Sequence, residues 1–101
     1  MGLVVELQDE RGTAEETISD TNNLLHGLLA PFQGRDSVLA EIDWYGDTVF
    51  NRTQIPRFLT AWRELALKTR TPEEAKLVTE IIGLAKRCEQ DAHLYLKFIG
   101  D

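Results

Sequence analysis

The stretch SVLAEIDWYGDTVFNRTQIPRFLTAWRELAL, Ser37 to Leu67, decides the fold, because its apolar residues change period within it. Val38, Ala40, Ile42 and Trp44 alternate with Leu39, Glu41, Asp43 and Tyr45. A period of two predicts a half-buried strand. Gly46-Asp47 then supplies a tight turn, since glycine accepts a positive φ without steric cost and Asp hydrogen-bonds the backbone two residues on. Thr48, Val49 and Phe50 resume the strand, and Ile55, Phe58, Leu59, Trp62, Leu65 and Ala66 recur at helical spacing. Asn51 or Thr53 can cap that helix. Thr53 is the better placed, because it leaves Pro56 in the first turn, where a missing N–H costs little. The helix is expected to run to Thr69.

Outward from this stretch the boundaries are marked by capping chemistry. Thr71-Pro72-Glu73-Glu74 offers an N-cap, a proline at the first helical position and a capping-box glutamate. The third helix follows, with Ala75, Val78, Ile81, Ile82, Ala85 and Cys88 as its buried stripe, broadened by Leu77 and Leu84, and Glu89 to Asp91 closing it. Two helices joined by so few residues are expected to pack antiparallel. From His93 to Ile99, Leu94, Leu96 and Phe98 alternate with polar residues as a last strand, ended by Gly100-Asp101.

Toward the N-terminus, Leu3, Val5 and Leu7 alternate as a strand, and Asp9-Glu10-Arg11-Gly12 reads as a turn. Thr13 to Ile18 then returns as a second strand. A helix from Ala14 is the alternative, since Thr13 and Glu16 form a capping box. Ser19, Asp20, Thr21, Asn22 and Asn23, cap and turn formers that sit poorly mid-helix, favour the hairpin. A short helix follows with Leu24, Leu25, Leu28 and Leu29 on its apolar face, stopped at Pro31.

At 101 residues the chain is read as a single domain, 1–101, and 43% hydrophobic with 28% charged residues is an ordinary globular composition. The N-terminus has no basic region, no window approaches the roughly 18 apolar residues of a membrane span, and Glu6 stands where a myristoylation signal needs Ser or Thr. A cytoplasmic location is therefore expected. Net charge is −6, and residues 1 to 35 hold six acids against two bases, so −4 of it lies there. Such a balance disfavours phosphate backbones and leaves a basic protein as the expected partner.

The string YGDTVFNRTQ at Tyr45 to Gln54, the opening VELQDE and the closing LYLKFIGD resemble patterns in small bacterial proteins of unknown function. The resemblance spans most of the chain and implies no activity, ligand or partner.

The richest polar cluster is Asp43, Tyr45, Asp47, Asn51 and Arg52, where two carboxylates near an arginine form either a binding site or an ordinary turn with an ion pair. Asp9, Glu10, Glu15 and Glu16 are the candidate surface for a basic partner; the plainer reading is a charged edge that keeps a hairpin from pairing with another molecule. His26, His93 and Cys88 lack the spacing of a zinc site, and Cys88 falls on a buried stripe rather than at an exposed nucleophile's position. No metal, catalytic residue or cofactor is assigned. Trp44, Phe58, Trp62 and Phe98 read as core.

The expected architecture is α+β: an antiparallel-rich sheet of four or five strands, an antiparallel helical hairpin on one face, and a short third helix. The expected function is a small acidic protein-interaction module, an immunity-type inhibitor of a basic protein being one form that fits. The alternative is a small enzyme or ligand-binding domain built on the cluster around the 45–52 turn.

Overall fold

Alternation in the first segment does what a period of two predicts: Leu3, Val5 and Leu7 are buried between half-exposed neighbours, and Val4–Gln8 is strand β1. The computed structural model describes residues 3–20 and 22–100; Thr21 of the expected cap run, the Met1-Gly2 reading and the chain end at Asp101 lie outside the described residues. A turn over Asp9 to Gly12, closed by Gly12 N donating to the Asp9 carbonyl at 3.0 Å, returns the chain as β2, Ala14–Ser19. Gly12 holds φ +83°, which residues with a Cβ disfavour. The Asp9 carboxylate accepts from Arg11 N at 2.9 Å and Thr13 N at 3.0 Å. With Thr13 committed to this turn, the segment forms a strand rather than a helix, one residue later than expected, over Ala14–Ser19.

β3, Asp47–Phe50, and β4, Tyr95–Ile99, complete one sheet in the order β2-β1-β4-β3, antiparallel at every pairing. The sheet has four strands because the expected strand at Val38 to Tyr45 does not form. Ser37 accepts from Leu39 N at 3.2 Å, and Val38–Glu41 is a 3-10 turn. Its buried residues are Leu39 and Ile42, three apart, rather than the alternating set. The period-two reading failed because Leu39 sat in the supposedly polar half of the pattern, and burying it demands a turn. Gly46-Asp47 is not a tight hairpin turn either. Asp43 makes the bend, its Oδ1 accepting from Tyr45 N at 2.9 Å, and Asp47 already belongs to β3. Gly46 has no positive φ; a Cβ there would instead come within 2.8 Å of the Asp43 carboxylate.

Three helices cover one side. The short α1, Leu24–Leu29, buries Leu25, Leu28 and Leu29 and passes directly into a 3-10 turn, Ala30–Phe32, that buries Phe32. α2, Ile55–Ala66, buries Ile55, Phe58, Leu59, Trp62 and Leu65, and α3, Pro72–Glu89, packs against it and lies over the sheet. The cap of α3 is as expected, Thr71 accepting from Glu74 N at 3.1 Å. Neither Thr53 nor Asn51 caps α2 itself: the helix follows Gln54 with no side-chain cap, and Asn51 closes the turn ahead of it, its Oδ1 accepting from Gln54 N at 3.1 Å while Gln54 Oε1 accepts from Asn51 N at 2.9 Å. Residues 52 to 54 form that turn, which leads directly into the helix. On α3, Ala75 is exposed and Ile82 only half-buried, while Leu77 and Leu84 are buried, so the stripe is rotated toward the residues expected at its margin.

The core between helices and sheet is aromatic. Phe58 stacks on Trp62 at 5.1 Å, and Phe50 and Phe98 of the sheet lie 5.1 and 5.8 Å from Phe58. At the other end of β4, Gly100 N donates to the Gly46 carbonyl at 2.7 Å, and a Cβ at Gly100 would fall 2.5 Å from the backbone of Trp44. Backbone on the Trp44 side yields poorly, so Gly100→Ala is expected to destabilise by about 1–3 kcal/mol, the usual range for overpacking. A urea midpoint equal to wild type would show that the C-terminal residues slide aside freely.

Candidate functional site

The polar residues predicted to act together are each tied to local structure. Asp43 holds the bend before β3, and its backbone N donates to Thr48 Oγ1 at 2.9 Å. Tyr45 is 83% exposed. Asp47 pairs with Lys97 of β4 at 3.3 Å, Asn51 closes the turn before α2, and Arg52 is exposed in that turn. Among the described residues, the contacts of these five run to separate local partners. Three clefts of about 600, 350 and 240 Å³ are lined by other residues.

The acids of the front segment do share one end of the molecule. Asp9 and Glu10 sit in the β1–β2 turn, and Glu15 and Glu16 on β2, which is an edge strand. Glu16 lies opposite Leu7, on the side of the sheet that α3 covers, and both Glu15 and Glu16 pair with Arg87 of α3, Glu15 at 3.3 Å. Glu10 meets His93 Nδ1 at 2.8 Å. These contacts place residues 87 to 93 beside the hairpin, which adds Glu89 and Asp91 and the negative end of the α3 dipole. The pairs are solvent-exposed, so each contributes little to stability and opens readily to a competing cation. Glu89 and Asp91 were legible as acids but not as members of this surface, because only tertiary packing brings the end of α3 to the hairpin.

At the opposite end of α3 the sign changes. The 600 Å³ cleft is lined by Gly27, Leu28 and Pro31 from the α1 side and by Leu67, Lys68, Arg70 and Glu74 from the α2–α3 connector and the start of α3. Leu67 is 86% exposed. Lys68 Nζ stands 5.4 Å over the Phe32 ring, as does the Arg35 guanidinium at 5.0 Å. Residues 52 to 70 carry Arg52, Arg57, Arg63, Lys68 and Arg70 against Glu64, +4 in all; charge taken over 36 to 69 mixes this run with four preceding acids and hides it.

The histidines and the cysteine stand apart. His26 packs edge-on to Trp44 at 3.9 Å, His93 faces Glu10, and Cys88 is buried with Sγ 3.4 Å from the Leu94 carbonyl. Burial pushes the Cys88 thiol up to about 11. A thiol so held is a small core side chain rather than a nucleophile. Trp44 is only half-buried, so it rims the core that Phe58, Trp62 and Phe98 fill. Among the described residues no helix is long and apolar enough to cross a membrane. Compared with known proteins, the chain matches no family model, no curated protein and no solved structure.

Proposed function

We propose that this chain is a small protein-interaction module whose acidic end receives a basic protein. The observation that supports it is the gathering of Asp9, Glu10, Glu15 and Glu16 on a turn and an edge strand, held beside Arg87 and His93 at the end of α3, the segment that also carries Glu89 and Asp91. Arg87 offsets Glu15 and Glu16 only through exposed contacts, which an incoming cationic surface can replace. An immunity-type inhibitor of a basic protein, acting in the cytoplasm, is one form this module takes. The charges act chiefly by long-range attraction, which speeds encounter and is screened beyond about 8–10 Å at physiological salt.

The test is a fourfold amide variant, Asp9→Asn, Glu10→Gln, Glu15→Gln and Glu16→Gln. Asn at position 9 keeps an acceptor oxygen for the hairpin turn, and the exposed ion pairs contribute little, so melting should be nearly unchanged. Proteins captured from the native host at low salt should fall away with the variant, and the captured partner should associate more slowly as salt rises. An identical set from both proteins would sink the reading and leave edge protection as the use of these acids. Glu16, a charge on the inward side of an edge strand, already fits that use.

A further inference from the structure

We propose that the cleft at the α2–α3 connector is a second docking site, one that takes an acidic protein segment bearing an aliphatic or aromatic side chain. Leu67 lines this cleft while 86% exposed, beside buried Leu28 and exposed Pro31, so an apolar side chain entering it has three apolar neighbours. The charge requirement comes from Lys68 and Arg70. Among the described residues neither makes an ion pair, whereas the one acid lining the cleft, Glu74, is already engaged, its Oε1 accepting from Arg70 N at 2.7 Å. The cleft thus offers two cations in search of carboxylates around an apolar patch.

The connector is held in place before any partner arrives. Leu67 N donates to the Glu64 carbonyl at 3.2 Å, Lys68 N to Leu65 at 2.9 Å, and Thr69 Oγ1 to Ala66 at 3.0 Å. Lys68 is fixed further by the Phe32 ring beneath it. Little ordering is left for binding to impose, which favours affinity from a small contact. α3 has 18 residues, so this site lies about 27 Å from the acidic end at 1.5 Å per residue, and the two surfaces are independent.

The probe is a displayed library of random peptides selected on the immobilised full chain. Enriched sequences should pair Asp or Glu with one large apolar residue. Synthetic copies should bind at least about tenfold more weakly to Leu67→Ser, which removes the anchor contact, and to Lys68→Glu/Arg70→Glu, which reverses the charge. All three positions are on the surface, and unchanged melting of both variants will show that folding is not the cause. Enriched peptides that are basic or lack an apolar residue, equal binding to the variants, or no enrichment at all would overturn the proposal. Sedimentation at low salt supplies a separate check: self-association abolished by Leu67→Ser would reassign the cleft to a second copy of the chain and also overturn it.

Discussion

Trp62→Ala is expected to lower the free energy of unfolding by about 3–5 kcal/mol, the range for removing a large buried ring. Trp62 is fully buried on α2, stacks on Phe58 at 5.1 Å and meets Phe98 of β4 at 5.9 Å. Its indole Nε1 also donates to the Val78 carbonyl of α3 at 3.2 Å. The side chain therefore joins α2, α3 and the sheet at one point. Truncation leaves a cavity where three elements meet, and it leaves a buried carbonyl without that donor. Trp62→Phe separates the two effects, because it keeps an aromatic ring while losing the N–H; about 1–3 kcal/mol is expected from the lost hydrogen bond and the smaller volume, the Val78 carbonyl keeping its partner within α3. Urea titrations read both. An alanine variant melting within a degree or two of wild type would mean that α2 is not held to α3 through this residue.

Where the sequence was decisive, each local signal had one physical outlet. Leu94, Leu96 and Phe98 alternate with polar neighbours, and Thr71-Pro72 with Glu74 can only begin a helix; the helix starts where the spacing puts it, and the strand forms over Tyr95–Ile99, two residues shorter than expected. Val38 to Tyr45 was different. Apolar residues occupied both halves of its alternation, and Ser37, a capping residue directly before it, carried the signal for a turn instead. The residues of the polar cluster are tied down locally. Asp43, Asp47 and Asn51 are close in sequence, and their side chains go to a bend, a cross-strand ion pair and the turn before α2. Neither surface proposed for partners could be assembled from spacing: the acidic end needs residues as far apart as Glu10 and His93 brought together, and the connector cleft needs α1 laid beside the start of α3.

Asp20→Ala is expected to cost about 3 kcal/mol, a large effect for a residue that the composition counts as one more surface acid, because two buried-side hydrogen bonds to a charged group are lost at about 1.5–3 kcal/mol each with partial recovery by water. Asp20 is 4% exposed, the only buried polar or charged residue among those described. Its Oδ1 accepts from Leu24 N at 2.8 Å and its Oδ2 from Leu25 N at 2.6 Å. Those are the first two amides of α1, which has no other side-chain cap. At six residues the helix is far too short to persist by itself, since isolated helices below about 12–15 residues are marginal even in favourable sequences. The carboxylate reaches two amides because Asn23 takes a left-handed φ of 56°, which folds the chain back over Asp20, while Asp20 N donates to the Leu3 carbonyl at 3.1 Å and anchors the turn to the sheet. Loss of the cap therefore loosens the seat of Leu25, Leu28 and Leu29, all buried. Asp20→Asn should retain one of the two bonds and lie between wild type and alanine. The local readout is hydrogen exchange: in Asp20→Ala the amides of Leu24 and Leu25 should exchange much faster while those of β1 and β4 slow or quicken only with global stability. Unaltered protection at Leu24 and Leu25 in the alanine variant would show that α1 is held by its leucines alone and that Asp20 is a buried charge with no structural task.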